Sequence, residues 1–291
     1  MRVPKGGVGF FDSGIGGLTV MAECRKYLPN EIFYYYGDNV HAPYGNLPAR
    51  KIRRYLFAAM RYFCRLRVRA VVIACNTATA VGIEELRRRY PFIIIGAEPA
   101  VLPAARTCGK VYVLTTRATR ESRRFQALCA QASMRYPKAV LHMFACEGLA
   151  GDIESNLLDP YRDYSAHLPK GNPDAVVLGC THYIYIEEKI AKFYHCESFD
   201  GNAGIAKMLT SYLQTESKKE GGEVQKKKKY RDFRPRLTTY RKNEQKPNKS
   251  SQKSGKKCLK NASNKILFFL GKSRERNAFV YEQMFVFNKK G

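Results

Sequence analysis

Several patterns that define large classes of protein are absent from this sequence. Its longest apolar runs, such as Ile93-Ile94-Ile95 and Ile266-Leu267-Phe268-Phe269-Leu270, are far shorter than the roughly 20 residues of a membrane-spanning helix. The nine cysteines include no pair at the close spacing of zinc sites, and the five histidines are scattered. No basic, apolar leader precedes Phe11. The sequence therefore predicts a soluble cytoplasmic protein in a reducing compartment, with no metal site and no membrane contact.

Acidic residues are scarce, since 25 Asp+Glu oppose 51 Lys+Arg and give a net charge of +26. Residues 218–291 carry 23 Lys+Arg against 6 Asp+Glu, a balance of +17, whereas residues 1–217 carry 28 against 19, a balance of +9. From Lys218 to Lys265 apolar residues are few, so we expect a disordered tail, with short apolar segments near Ile266–Leu270 and Phe279–Phe287. Such a tail could bind nucleic acid by neutralising phosphates, or it could be a solvated extension without a dedicated partner.

The rest of the chain alternates short apolar runs with segments of helical spacing, which is typical of βαβ units. The strand candidates are Val8–Phe11, Ile32–Tyr36, Ala70–Ala74, Phe92–Ile95, Val111–Leu114, Val140–Phe144 and Ala175–Leu178. The helix candidates are Leu18–Leu28, Ala49–Leu66, Val81–Tyr90, Ser122–Ala132 and Ile184–Phe193. We predict an α/β fold of two pseudo-symmetric domains, each with a mainly parallel sheet flanked by helices, and an active site in the cleft between them. The first domain comprises residues 1–97 and about 200–217, the second residues 98–199, and the basic tail residues 218–291.

Two cysteines occupy nearly the same local context. Cys75 follows the run Val71-Val72-Ile73-Ala74, and Cys180 follows Val176-Val177-Leu178-Gly179. Each therefore lies where a buried parallel strand passes into a helix, which is the edge where open α/β sheets bind ligands and where a helix N-terminus lowers the pKa of a thiol. A single free cysteine is more often a core residue, but the duplicated context favours an acid and base pair.

A glycine-rich turn follows the first strand and contains Asp12-Ser13-Gly14-Ile15-Gly16-Gly17. Its glycines do not have the spacing of a dinucleotide-binding loop, and no Gly-Lys-Ser/Thr ending indicates a nucleoside-triphosphate loop. The simplest interpretation is a tight strand-to-helix turn. Asp12 at the strand end could orient a substrate ammonium or assist a nearby thiol.

In combination these motifs resemble the cofactor-independent aspartate/glutamate racemase family, in which the closest resemblance is to the glutamate racemases. The resemblance covers most of residues 6 to about 213. It is carried by Asp12-Ser13-Gly14-Ile15-Gly16-Gly17, Tyr36-Gly37-Asp38 with Pro43-Tyr44-Gly45, Ala74-Cys75-Asn76-Thr77-Ala78, Glu98-Pro99 and Leu178-Gly179-Cys180-Thr181-His182-Tyr183.

The resemblance implies an isomerase that interconverts L- and D-glutamate without a cofactor and supplies D-glutamate for peptidoglycan. Cys75 and Cys180 would be the two acid/base residues on opposite faces of the substrate Cα. Asp12 and His182 would tune them or relay protons, and Glu154, which fits the family position better than Glu147, would support His182. The implied substrate contacts are Asp12, Ser13, Tyr44, Gly45, Asn76, Thr77, Thr116, Thr119, Thr181 and His182.

The chain also departs from the family pattern. Ile184 stands where proline is usual, the segment from Glu154 to Asp174 is condensed, and the basic tail takes the place of the usual C-terminal element. Three interpretations stay open: a glutamate racemase, a related racemase acting on aspartate or another amino acid, and a racemase-like scaffold whose basic tail binds nucleic acid. A homodimer is compatible with each of them.

Overall fold

The computed structural model describes residues 6–220, 257–260 and 266–270, together with Asn277 and Val280. The strands in these residues are β1 (Val8–Asp12), β2 (Phe33–Gly37), β3 (Ala70–Ile73), β4 (Ile93–Gly96), β5 (Lys110–Thr115), β6 (Val140–Ala145), β7 (Ala175–Leu178), β8 (Glu197–Phe199), β9 (Lys257–Lys260) and β10 (Ile266–Leu270). The helices are α1 (Gly17–Tyr27), α2 (Ala49–Leu66), α3 (Asn76–Arg89), α4 (Val101–Thr107), α5 (Arg117–Arg120), α6 (Arg123–Arg135), α7 (Leu149–Asn156), α8 (Glu187–Tyr194) and α9 (Asn202–Glu220). None of these helices is both long and apolar enough to cross a bilayer.

The described strands form two sheets with the same internal order. The first sheet runs β4-β3-β1-β2-β10-β9, and the second, read from its other edge, runs β8-β7-β5-β6. All neighbours pair in parallel except β9 and β10. Strands β1 to β4 therefore correspond one by one to β5 to β8, which confirms the predicted pseudo-symmetric α/β fold. In this correspondence β3, before Cys75, matches β7, before Cys180.

Each sheet is covered by helices on both faces because its strands are apolar on both faces. In the first lobe, α1 and α9 pack on one face and α2 and α3 on the other. In the second lobe, α7 and α8 cover one face and α4 and α6 the other. The helix α9 thus returns the chain from the second sheet to the first.

The C-terminal region contributes to the first lobe, which differs from the sequence-based prediction. Ile266–Leu270 is paired with β2 in parallel, and β9 adds to it in antiparallel. Val280 packs into the core between α1, α9 and the sheet. The expectation of disorder is therefore wrong for Lys257–Lys260, which is a strand, and for Lys218–Glu220, which ends α9. The apolar segment near Ile266–Leu270 is a strand because it pairs in parallel with the edge of β2 that β1 leaves free. Apart from Val280, the segment Phe279–Phe287 lies outside the described residues.

Candidate active site

Cys75 lies at the carboxyl end of β3, one residue after Ala74, and caps the N-terminus of α3. Its sulfur accepts a hydrogen bond from the Ala78 amide at 3.4 Å and lies 3.5 Å from the Ser13 hydroxyl. The side chain is 5% exposed. Burial, reinforced by the charge of Asp12, raises the pKa of Cys75 to about 12, although the bonds from Ser13 and Ala78 act in the opposite direction. The Ala78 amide at the N-terminus of α3 acts in the predicted direction and lowers this pKa, but the cost of burying a thiolate is larger, so the net shift is upward.

Cys180 lies at the corresponding place in the second lobe, two residues after β7. It is 7% exposed, and its sulfur is 3.8 Å from Nδ1 of His182. Ser13, which contacts Cys75, follows Asp12, and Asp12 accepts a hydrogen bond from Thr181, the residue after Cys180. The two thiols therefore lie in one buried site. Strand correspondence thus brings both cysteines to one site between the sheets.

A buried histidine and carboxylate stand behind Cys180. Nε2 of His182 lies 2.6 Å from Glu154, whose carboxylate also accepts hydrogen bonds from the Ile15 amide at 3.1 Å and from the Asn39 side chain. Burial by itself lowers the pKa of His182, but its hydrogen bonds with Cys180 and Glu154 outweigh burial and raise that pKa well above the usual value. Burial raises the pKa of Glu154, but the bond and charge of His182 lower it overall. The pair is therefore an imidazolium and a carboxylate.

The alternative acidic residue of this region, Glu147, lies elsewhere. It is exposed and pairs with Arg117 at the surface. Of the two, only Glu154 contacts His182.

Asp12 is fully buried at the end of β1 and contacts both lobes. Its carboxylate accepts hydrogen bonds from the Gly14 amide at 2.9 Å and from the Thr181 hydroxyl at 3.2 Å. Burial raises its pKa, although the charge of His182 acts in the opposite direction. The turn after Asp12 is pressed against the second lobe, since a Cβ on Gly16 would lie 2.7 Å from Nδ1 of His182. Glycine is needed here because of this close approach.

Three threonine hydroxyls meet at the other side of the site. The hydroxyl of Thr77 lies 2.9 Å from that of Thr116 and 3.2 Å from that of Thr119, and the last two are 3.0 Å apart. Gly45 is in close contact with Thr116, because a Cβ at this glycine would be 2.8 Å from the Thr116 Cβ. Hydroxyls from both lobes therefore converge.

Tyr44 is buried, and its hydroxyl donates to Asp38 at 2.7 Å. His41 contacts the same carboxylate at 2.9 Å. Asp38 and Asn39 were not among the predicted site residues. The register of β1 with β2 places Gly37 opposite Asp12, so the position directly after β2 was the signal that could have identified them.

Asn76 follows Cys75 and is buried. Within the described part of the chain, its side-chain oxygen has no hydrogen-bond partner. A buried carbonyl oxygen without a partner costs free energy, and a donor from a bound molecule would remove this cost.

Several of the residues predicted from sequence contact one another across the two lobes, namely Asp12 with Thr181, Thr77 with Thr116 and Thr119, and Gly45 with Thr116. The site combines two thiols, a buried carboxylate, an imidazolium and carboxylate pair, several hydroxyls and an unpartnered amide oxygen. Among the described residues, no group of three or more His, Cys, Asp or Glu side chains could hold a metal ion. The arrangement can therefore transfer protons with its own side chains in an enclosed polar space.

Comparisons with known proteins agree with this geometry. The family model for Asp/Glu/Hydantoin racemases matches residues 22–209. A glutamate racemase of Clostridium novyi is 40% identical over 224 residues, which span 73% of this chain and 85% of that protein. A glutamate racemase of Halothermothrix orenii is 35% identical over 228 residues, which span 74% of this chain and 88% of that protein.

Solved structures give the same result. Escherichia coli glutamate racemase, in complex with L-glutamate and the activator UDP-MurNAc-ala, has a TM-score of 0.65 and 30% identity over 73% of this chain and 83% of that chain. Francisella tularensis glutamate racemase, in complex with D-glutamate, has a TM-score of 0.61 and 27% identity over 74% of this chain and 83% of that chain. With its paired strand-end cysteines and two equivalent sheets, the chain belongs to the Asp/Glu/Hydantoin racemase family.

Proposed function

We propose that this protein is a glutamate racemase that interconverts L- and D-glutamate by transferring the α-proton between two thiols. The observation that carries the proposal is the equivalence of Cys75 after β3 and Cys180 after β7, on two sheets of the same strand order. A single base would return its proton to the face from which it came, whereas inversion requires a group on each face. The similar proteins of Clostridium novyi and Halothermothrix orenii are glutamate racemases, which favours glutamate over aspartate.

The site offers hydrogen-bond donors and acceptors for each charged group of glutamate. Glutamate carries two carboxylates and one ammonium, and the site offers hydroxyl and amide donors for the carboxylates. The unpartnered oxygen of Asn76 and the carboxylate of Asp12 are acceptors for the ammonium. The proposed contacts are Asp12, Ser13, Tyr44, Gly45, Asn76, Thr77, Thr116, Thr119, Thr181 and His182.

In the proton-transfer step, one cysteine acts as a thiolate and the other as a thiol. The thiolate takes the α-proton, so the Cα–H bond breaks and an S–H bond forms. The opposite thiol then delivers its proton to the other face of Cα and becomes the thiolate. Reversing the two roles gives the reverse reaction, so Cys75 and Cys180 are the catalytic residues.

The neighbours of the two cysteines set which sulfur holds a proton. The charge of Asp12 acts on Cys75, and the raised pKa of Asp12 fits it to share a proton with that thiol. His182 lies 3.8 Å from the Cys180 sulfur and is held as an imidazolium by Glu154, so it places a positive charge beside that sulfur. We propose that Asp12, His182 and Glu154 are positioning residues that make the two thiols act as acid and base.

The buried site lowers the barrier to carbanion formation. An amino-acid α-proton is weakly acidic, so the negative charge that develops needs fixed donors and little competing water. Both catalytic cysteines and His182 are less than 10% exposed. The hydroxyls around them are held in place by their mutual hydrogen bonds, so they need not reorganise during the reaction.

The wider assignments rest on the same family membership. We propose a cytoplasmic enzyme that supplies D-glutamate for peptidoglycan, with one lobe formed by residues 1–97 and about 200–217 and the other by residues 98–199. Its partner is a small-molecule amino acid. A homodimer and nucleic-acid binding by the tail remain predictions.

The test is proton NMR of L-glutamate, D-glutamate and L-aspartate incubated separately with the reduced protein in deuterated water, with optical rotation followed in parallel. We expect loss of the α-proton signal and approach to a racemic mixture from both glutamate enantiomers. Exchange with aspartate alone would keep the mechanism and change the substrate. Exchange with none of the three in folded protein would favour a racemase-like scaffold.

Cysteine variants test the two-base assignment. Cys75→Ser and Cys180→Ser should each abolish racemisation, because a serine hydroxyl is a far weaker acid than a thiol. Cys64→Ser and Cys196→Ser are matched controls, since each changes a half-buried thiol outside the site, one in each lobe. Full turnover by either site variant would reject the assignment.

A further inference from the structure

The exposed surface of α2 is strongly basic. From Ala49 to Arg69 the chain carries eight basic residues and no acidic residue. Seven of them are exposed, namely Arg50, Lys51, Arg53, Arg54, Arg61, Arg65 and Arg67. Surface helices usually mix charges of both signs, so this composition is unusual.

Four of these arginines form one stripe. At 100° per residue, Arg50, Arg54, Arg61 and Arg65 lie within about 60° of one another around the helix axis. The buried positions Ile52, Leu56, Ala59, Met60 and Phe63 lie on the opposite face, packed against the first sheet. The four guanidinium groups therefore project from the outer face of the lobe along about 22 Å of helix.

Among the described residues, no carboxylate compensates the charge of the stripe. Within the described residues, none of its four members pairs with a carboxylate, whereas nearby Arg69 pairs with Glu31. Like charges four residues apart, as in Arg50 with Arg54 and Arg61 with Arg65, destabilise a helix by about 0.2–0.5 kcal/mol per pair. Arg50 also lies in the first turn, where a cation opposes the helix dipole. The helix thus retains these charges at a cost to its own stability.

We propose that the outer face of α2, centred on this arginine stripe, binds the phosphate backbone of a nucleic-acid duplex. Guanidinium groups bind phosphate oxygens in bidentate geometry, and release of condensed counterions supplies the free energy. The length of the stripe matches about six base pairs at 3.4 Å each. A membrane surface fits less well, because Tyr62 is the only exposed large apolar residue of α2, and one ring is not the apolar face that an interfacial helix buries in lipid.

The rest of the chain supports the same partner. The net charge of +26 attracts a polyanion over a distance. The strands β10 and β9 extend the sheet on which α2 packs, so Lys257 and Lys260 of β9 belong to the same lobe as the stripe. The proposal does not depend on the racemase reaction.

The test is fluorescence anisotropy of a labelled 20-base-pair DNA duplex titrated with the full-length protein at several salt concentrations. The variant replaces the four stripe residues together: Arg50→Gln, Arg54→Gln, Arg61→Gln and Arg65→Gln. Loss of four phosphate contacts should reduce the slope of log Kd against log salt by about 3.6. Between 50 mM and 200 mM salt, the affinity of the wild type should therefore fall about 150-fold more than the affinity of the variant. The far-UV circular dichroism spectrum of the variant should match that of the wild type, which shows that the variant is folded.

A control separates the stripe from net charge. It replaces four exposed arginines of the second lobe by glutamine: Arg106, Arg120, Arg123 and Arg135. The control has the same net charge as the stripe variant and should keep the wild-type slope. Equal weakening by both variants, wild-type binding by the stripe variant, or tighter binding to phosphatidylglycerol vesicles than to DNA would each overturn the proposal.

Discussion

Replacing Glu154 by glutamine tests the buried pair behind Cys180. The substitution keeps the shape of the side chain and removes its charge. In the wild-type protein the carboxylate accepts hydrogen bonds from His182 at 2.6 Å and from the Ile15 amide at 3.1 Å. The side-chain amide of the introduced glutamine has a single oxygen that can accept these hydrogen bonds. Its NH2 group takes the place of the second carboxylate oxygen and can only donate. Removing the carboxylate lowers the pKa of His182, because the hydrogen bond and the charge of Glu154, which raise this pKa against burial, are lost.

The magnitude follows from the loss of a buried charged pair. Removing one partner of such a pair typically costs 3–5 kcal/mol, and the retained amide hydrogen bonds place Glu154→Gln at the lower end, about 3 kcal/mol. For a chain of this size, this corresponds to a decrease in Tm of about 6–12 °C. We expect kcat for glutamate racemisation to fall about 100-fold, with a smaller change in KM, because the imidazolium acts on proton transfer.

The pH dependence of stability has a defined sign. The pKa of His182 is raised above its ordinary value of 6.5, so its contribution to stability is complete below about pH 6.5 and is lost as the pH rises through the folded-state pKa. The pKa of Glu154 is lowered from 4.5, so its contribution is complete above about pH 4.5 and is lost as the pH falls through its folded-state pKa. The Tm deficit of Glu154→Gln should therefore be largest between about pH 4.5 and 6.5 and should shrink at higher pH.

The assay is thermal unfolding by circular dichroism at pH 5.5 and pH 9, with racemisation rates measured on the same samples. Glu147→Gln is the matched control, since this glutamate pairs with an arginine at the surface and should change Tm by less than about 2 °C. A Tm deficit that is the same at both pH values would refute the imidazolium and carboxylate assignment. So would wild-type kcat in the Glu154→Gln variant.

Three further substitutions test other parts of the site and of the fold. Gly16→Ala places a methyl group against the ring of His182, so kcat/KM should fall at least 10-fold in steady-state assays, and unchanged kinetics would show that the turn can move away. Thr116→Val removes one of three mutually bonded buried hydroxyls and should raise KM for glutamate about 10-fold, consistent with a cost of 1–3 kcal/mol; an unchanged KM would exclude it from substrate binding. Asn277→Ala removes the 3.3 Å bond to the Gly37 carbonyl and should lower the free energy of unfolding in urea by about 1 kcal/mol, whereas no change would separate this residue from the first lobe.

Much of the fold could be predicted from the sequence because its signals are local. The strand Ala175–Leu178 and the helix Ala49–Leu66 have the predicted bounds, since a continuous apolar run and an amphipathic period identify them. The three-residue strand β8 was missed because it is short and polar at Glu197. Strand β10 was recognised only as an apolar segment, because its pairing with β2 is made across a long stretch of chain.

The sequence by itself determined that two cysteines end two similar strands, and the motifs around them identified the family and predicted the residues of the site. Only the tertiary structure decided how these residues act on one another. The strand order of the two sheets brings Cys75 and Cys180 into one environment, and the burial that follows raises the pKa of Cys75 against the effect of its helix N-terminus. The structure also shows a hydrogen bond from the Asn39 side chain to the Glu154 carboxylate, which joins residues 115 positions apart in the sequence. Such effects depend on distances through space and on exclusion of water, and neither is encoded in the spacing of residues along the chain.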